Sequence, residues 1–234
     1  MAAFVGFLMA RGYQHYKSVY KRRVVKWFWV PNDSARIYLY CGMWRDKLTD
    51  FGEVEPLLNL QDALTLGELR GFLQSYYKDV EIVTETNSID WRFPVVSLGG
   101  PLPNPLTAEI GKRDLIPIWF LDAPYSQHSE RAIGTKEKDV VFKSKFGDTG
   151  HLKSDVGFVA RIRSPENGQQ VVFVIASNYG VGNLGVVKFI TSSEKLTQLS
   201  RANLDRHFQV VISSHIAGDD TILDTELMYC RSLN

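Results

Sequence analysis

The 234-residue chain carries 27 Lys and Arg against 26 Asp and Glu, with 44% apolar and 23% charged residues, the balance of a globular domain long enough to bury its own core. Cys41 and Cys230 are the only cysteines, which excludes a disulfide framework and fits a reducing, cytoplasmic location, with both thiols read as core or near-core residues. Six of the 27 basic residues (Arg11, Lys17, Lys21, Arg22, Arg23, Lys26) fall in the first 32 positions, which hold no acid; the other 202 keep 21 basic and 26 acidic groups, and so mildly acidic a body excludes broad nucleic-acid binding.

The chain opens with an apolar run, Ala2 to Ala10, and then turns basic. The run is shorter than the roughly 20 residues that span a bilayer. Its charge follows the apolar stretch, against the order of a signal peptide. Tyr13, Tyr16, Tyr20, Val24 and Trp27 recur at three- and four-residue steps, one face of a helix. Residues 1–30 are therefore expected to form a basic helical arm. Three placements stand open: packed on the domain or on a second copy, lying on the cytoplasmic face of a membrane, or forming the cytoplasmic end of a membrane-spanning segment.

Pro31-Asn32-Asp33-Ser34 is a turn cluster and marks a boundary, after which residues 34–234 are expected to form one domain. Arg36–Cys41 has strand composition. A loop from Met43 to Glu55 carries Arg45, Asp46, Asp50 and Glu53. Asp62 is placed to open a helix running to about Tyr77, with Leu64, Leu66, Leu69, Phe72 and Leu73 inward. Strands are expected at Val80–Val83, Pro94–Leu98 and Leu115–Leu121. Between the last two, Asn104 is placed to cap a helix with Pro105 at its first position. Residues 122–154 read as an inserted loop or lid, with an edge strand at Val140–Phe142. Val156–Ile162 alternates like an antiparallel edge strand. Val171–Ile190 reads as strand, glycine turn and helix, the helix continuing to about Leu199. Phe208–Ser213 and Thr221–Cys230 complete the strands.

Alternation of strand and helix, with several continuously apolar strands, predicts an α/β domain: a Rossmann-like, mostly parallel sheet flanked by helices, with an antiparallel edge and the N-terminal helical arm. A mixed sheet with helices on one side is the alternative.

Two glycine turns end apolar strands. Gly99-Gly100-Pro101 precedes Asn104 and Thr107, and Asn178 precedes Gly180, Gly182 and Gly185, which satisfy G-x-G-x-x-G between a strand and a helix. Such glycines let backbone N–H groups approach a phosphate at a helix start. They also serve simply as tight turns. The motif comes late in the chain, and the following strand ends in Ser213-Ser214 with no acid to hold a ribose, unlike a dinucleotide dehydrogenase. The candidate ligand-binding set is Gly99, Gly100, Asn104, Thr107, Asn178, Gly180, Gly182 and Gly185, with Arg45 and Asp46 on the rim. The five histidines lack metal spacing, and neither a nucleophile elbow nor a P-loop occurs. No metal, no obligatory cofactor and no catalytic set is read from the sequence.

The segments VVSLGGPLPN (Val95–Asn104) and VVFVIASNYGVGNLG (Val171–Gly185) resemble the Rossmann-like superfamily of SLOG, TIR and nucleoside deoxyribosyltransferase-like domains. That resemblance implies a nucleotide or NAD-related ligand and a sensor or effector role in signalling. In some members it also implies cleavage of an N-glycosidic bond by a glutamate, for which Glu55 and Glu68 are the candidates by position. A membrane- or partner-binding protein with purely structural glycine turns is the third expectation.

Overall fold

The strands that read as apolar from end to end meet in one sheet with both faces covered. The computed structural model describes residues 14, 18–30, 36–42, 44–48, 54–57, 60–121, 131–202 and 204–233, for 44–48 and 54–57 the backbone only. Residues 18–28 form helix α1. The central sheet takes β1 (Arg36–Cys41), β4 (Asp79–Val83), β5 (Val95–Leu98), β9 (Lys145–Phe146), β10 (Leu152–Arg163), β11 (Val171–Ser177), β12 (Phe208–Ile216) and β13 (Ile222–Ser232). Their order is β13-β12-β10-β11-β5-β1-β4, with β9 on β10. β4, β1, β5 and β11 run parallel, whereas β10, β12, β13 and β9 pair antiparallel. The fold is thus α/β with a mixed sheet, and its antiparallel part is a full half of the sheet rather than the edge expected.

Strand alternation sorts side chains to two cores. Ile37, Leu39, Val96, Phe173, Ile175, Val210 and Ile212 meet α1, α2 (Leu60–Gln74), α4 (Gly180–Thr191) and α5 (Ser193–Ser200) on one face. Tyr38, Tyr40, Val95, Val172, Val174 and Phe158 meet α3 (Pro105–Lys112) and Ile133 on the other. That second face is covered largely by a small antiparallel sheet of β6 (Trp119–Phe120), β7 (Ala132–Gly134) and β8 (Val141–Lys143). In the described part of the expected lid, residues 131–154, Ala132–Gly134 are buried against the sheet, with Ile133 fully buried, whereas most of residues 136–151 are exposed. A second hairpin, β2 (Trp44–Leu48) with β3 (Val54–Leu57), stands where a loop was expected.

Three sequence expectations are revised. Val156–Ile162 belongs to an interior strand, flanked by β11 and β12. Its alternation separates two buried faces rather than core from water, and it buries Asp155 and Arg161. Leu115–Leu121 contributes only Trp119–Phe120 to a strand, and not in the central sheet. The long helix expected after Gly180 is two helices, because the Ser192 side chain accepts from Lys195 N–H and starts α5.

The boundary at residues 31–34 divides the chain but not the core. Val24, Val25, Phe28, Trp29 and Val30 are buried in the same cluster as the sheet. Phe28 lies 5.3 Å from Phe208, and Trp29 4.9 Å from Phe173, ring to ring. Among the described residues no helix is long and apolar enough to cross a membrane.

Candidate functional site

The carboxyl ends of β1, β5 and β11 lie side by side, so the two glycine turns sit on neighbouring strands. Gly99 N–H donates to Ile175 O at 2.9 Å, tying one turn to the strand that leads into the other. Gly99 has φ 104°, in the region only glycine enters freely. α2 follows β1 on one face of the sheet and α3 follows β5 on the opposite face. Where successive connections leave in opposite directions, a crevice opens at the strand ends; that is where ligands bind in open α/β sheets.

Around the upstream turn the polar groups serve the fold. Asn104 is fully buried. Its Oδ1 accepts from Thr107 N–H at 2.9 Å, while Nδ2 donates to Leu98 O at 2.8 Å and Ser97 Oγ at 2.9 Å. The Thr107 hydroxyl shares a 2.9 Å hydrogen bond with Ser97. Asn104 thus caps α3 and clamps it to β5, with both ends of its amide engaged inside the protein. A Cβ on Gly42 would lie 2.5 Å from Asn104 Cα, so β1 ends pressed against this same turn.

At the downstream turn the start of α4 already holds an anion, and the anion is the protein's own. The carboxylate of Asp155, on β10, is fully buried. Oδ2 accepts from Tyr179 N–H at 3.0 Å and Gly182 N–H at 2.8 Å. Oδ1 accepts from Val156 N–H at 2.8 Å and the Ser144 hydroxyl at 2.7 Å. These donors are the ones a phosphate would use at a helix start. Burial pushes the Asp155 carboxyl up to about 7, opposed by the hydrogen bonds from Ser144, Gly182, Val156 and Tyr179. The motif's glycines meet this arrangement by contact. A Cβ on Gly182 would stand 2.7 Å from Asp155 Cγ, and one on Gly185 2.6 Å from Ser214 Cβ.

Beside Asp155, Asn178 is buried, its Nδ2 donating to Ser144 Oγ at 3.0 Å and Arg131 O at 3.1 Å. Its Oδ1 has no partner among the described residues. Arg131 donates to Asn178 O at 2.8 Å, and its guanidinium lies 4.7 Å over the Tyr179 ring. Tyr179 in turn meets Phe146 edge-on.

On the opposite face a second buried carboxyl reaches the rim. Asp62, in the first turn of α2, accepts from Asn183 Nδ2 at 3.0 Å; Asn183 Oδ1 accepts from the Ser177 hydroxyl at 2.9 Å. Burial raises the Asp62 carboxyl above its ordinary value, with the Asn183 hydrogen bond opposing. Cys41, buried at the end of β1, has its thiol pushed up to about 12 by burial and then by the charge of Asp62. Asp62, Asn183 and Ser177 thus make one connected strip between α2, α4 and β11. Sequence reasoning used Asp62 only as a helix start and passed over Asn183 and Asp155; the polar Asn183 inside the apolar run Val181–Ile190 was the available signal.

Of the candidate residues, Gly99, Gly100, Asn104, Thr107, Asn178, Gly180, Gly182 and Gly185 are gathered at the ends of β5 and β11. Arg45 and Asp46 lie on β2, where the side chains fall outside the described residues, as does that of Glu55. Glu68 is exposed on α2, and burial of part of its carboxyl raises it. Among the described residues no group of three His, Cys, Asp or Glu side chains could hold a metal ion. Compared with known proteins, the chain matches no family model and shows no significant similarity to a curated protein.

Proposed function

We propose that the chain is a nucleotide-binding sensor or effector domain of Rossmann-like type, its ligand held in the crevice at the carboxyl ends of β1, β5 and β11. One observation carries this reading: neighbouring parallel strands send their following helices to opposite faces there, over a strip of buried polar groups built from Asp62, Asn183 and Ser177. Because Asp155 occupies the amides at the start of α4, the reading assigns the ligand's main polar contact to Asp62 and Asn183. A carboxyl paired with an amide suits the hydroxyl and N–H donors of a sugar or base better than it suits a phosphate.

Calorimetry against nucleosides, mono-, di- and cyclic nucleotides and NAD tests it. Heat with one class, weakened roughly tenfold or more in Asp62→Asn, supports the reading; no heat from any of them with a folded protein overturns it.

The same carboxyl favours a second reading, cleavage or transfer at the N-glycosidic bond of NAD or a nucleoside. A carboxylate beside the sugar would attack or stabilise the cationic carbon as the base departs. Chromatography of such substrates after incubation decides: release of free base abolished in Asp62→Asn supports it, and an unchanged substrate pool removes it.

A further inference from the structure

One corner of the central sheet gathers cations with no acid to balance them. It lies where β10 ends and β12 begins, beside the amino end of β11 and so at the opposite end of the sheet from the crevice. Arg161 pairs with Phe208 across β10 and β12, which brings Arg163 level with Arg206 and His207. Arg163 Nε donates to His207 Nε2 at 3.2 Å, so the imidazole is neutral and carries its proton on Nδ1. Arg161 is buried and donates to Trp27 O at 2.8 Å and Phe28 O at 3.1 Å, the last carbonyls of α1. Those bonds account for one arginine and leave the other cations unexplained. Arg163 and Arg206 are exposed, and His207 is half-buried. Among the described residues none of the three arginines forms an ion pair. Asp205, although next to Arg206 in sequence, is exposed and pairs with none of them. Two buried N–H groups, Arg161 Nε and His207 Nδ1, have no acceptor among the described residues. The crowding also acts on the groups themselves. Burial, and after it the charges of Arg163, Arg161 and Arg206, holds His207 below its ordinary value. Burial and then Arg206 pull Arg161 down to about 10, yet an arginine keeps its proton in a protein, so the repulsion remains.

We propose that this corner binds a small phosphate-type oxyanion, with Arg163 and Arg206 as its outer arms and His207 and Arg161 behind them. The guanidinium forks of arginine match the oxygens of a phosphate in pairs, and such charge-assisted bonds are the strong ones. A phosphate brings two negative charges to three positive ones, whereas a single carboxylate brings one. Free phosphate and a phosphate monoester offer the same chemistry here. The negative end of α1 gives no such relief, because its carbonyls are already taken by Arg161. Since Arg161 also holds the end of α1, an anion in this corner would tighten the helix as it binds. The site stands apart from the crevice and does not depend on the nucleotide reading.

The test is calorimetry of the purified full chain with inorganic phosphate and with glycerol phosphate, in chloride buffer of matched ionic strength, followed by thermal melts over the same concentrations. The expected result is saturable binding and a melting temperature that rises and levels off with it. Arg163→Gln/Arg206→Gln should weaken binding about tenfold or more. In chloride alone its melting temperature should equal or exceed the parent's, because both side chains are exposed and repulsion is relieved. Should that variant fail to fold, Arg163→Lys/Arg206→Lys keeps the charge but loses the forks and should weaken binding severalfold. Binding of both probes makes an ester the ligand, and binding of inorganic phosphate alone makes it the free ion; either supports the site. No saturable binding, or binding undiminished in a folded variant, overturns the proposal. So does a melting temperature that climbs without levelling, equally in parent and variant, which is exclusion of the salt from the protein surface.

Discussion

Replacing Gly185 with alanine separates the two uses of a glycine motif. In the interior of α4, alanine gains about 1 kcal/mol of helix propensity over glycine. Against that, the new Cβ would lie 2.6 Å from Ser214 Cβ. Ser214 is fully buried on β12, which is paired on both sides, and α4 is held from behind by α2, to which Asn183 is bonded through Asp62. Neither surface can withdraw freely, so overpacking costs about 1–3 kcal/mol or somewhat more. Gly185→Ala should therefore be net destabilising by about 1–2 kcal/mol, lowering the melting temperature of a chain this long by several degrees. Ser214→Gly removes the opposing Cβ together with a hydroxyl that has no partner among the described residues, so the double variant should recover most of the loss. A thermal or urea melt of the two single variants and the double supplies the cycle. If Gly185→Ala melts at or above the parent temperature and the two changes add independently, the glycine does not serve packing, and direct ligand contact becomes its explanation.

Other outcomes follow from the same interactions. For Asp155 the folded carboxyl, at about 7, lies above its ordinary value of 3.8, so the native state holds the proton longer than the unfolded state. Its contribution to stability is fully present below about pH 4 and is lost as pH rises through about 7, with a slope of at most about 1.4 kcal/mol per pH unit. Urea titrations of parent and Asp155→Asn across this range should differ by that slope; parallel curves would refute it. Asn104→Ala strips α3 of its cap and leaves Leu98 O without its amide donor, and should cost about 2–3 kcal/mol in a chemical melt. Arg161→Leu leaves two carbonyls at the exit of α1 without their donor; amide exchange should rise first in residues 24–30. Iodoacetamide at pH 8 should modify Cys230, which is half-buried, and spare Cys41, whose buried thiol lies near 12; peptide mass mapping reads the difference.

The parts of the fold legible in sequence were those written in local pattern. Arg36–Cys41 and Val171–Ser177 are apolar and β-rich throughout, and each is a strand buried on both faces. Asn104-Pro105 announces α3 because capping is a matter between near neighbours. What escaped was written between distant residues. Asp155 lies 27 positions from Gly182 and Asp62 lies 121 from Asn183, and no periodicity marks either pair. β10 was misplaced at the edge because a charged residue in an alternating strand signals solvent, whereas Asp155 and Arg161 are buried against backbone donors and acceptors. That the two glycine turns end adjacent strands could not be read from the sequence, and the carboxyls beside those glycines were equally invisible without the fold.

The attachment of α1 also has a consequence for how the protein is made. Phe28 and Trp29 emerge from the ribosome early, but the surface that receives them is assembled from Arg161, Phe173 and Phe208, far down the chain. At about 5–20 residues per second, those rings wait roughly ten to thirty-five seconds for their partners. During that interval the nascent chain exposes Phe28 and Trp29, both fully buried in the folded protein, next to a basic stretch. The early chain is thus a natural substrate for chaperone capture, and a translational pause before Phe208 would prolong exactly the state most prone to aggregate.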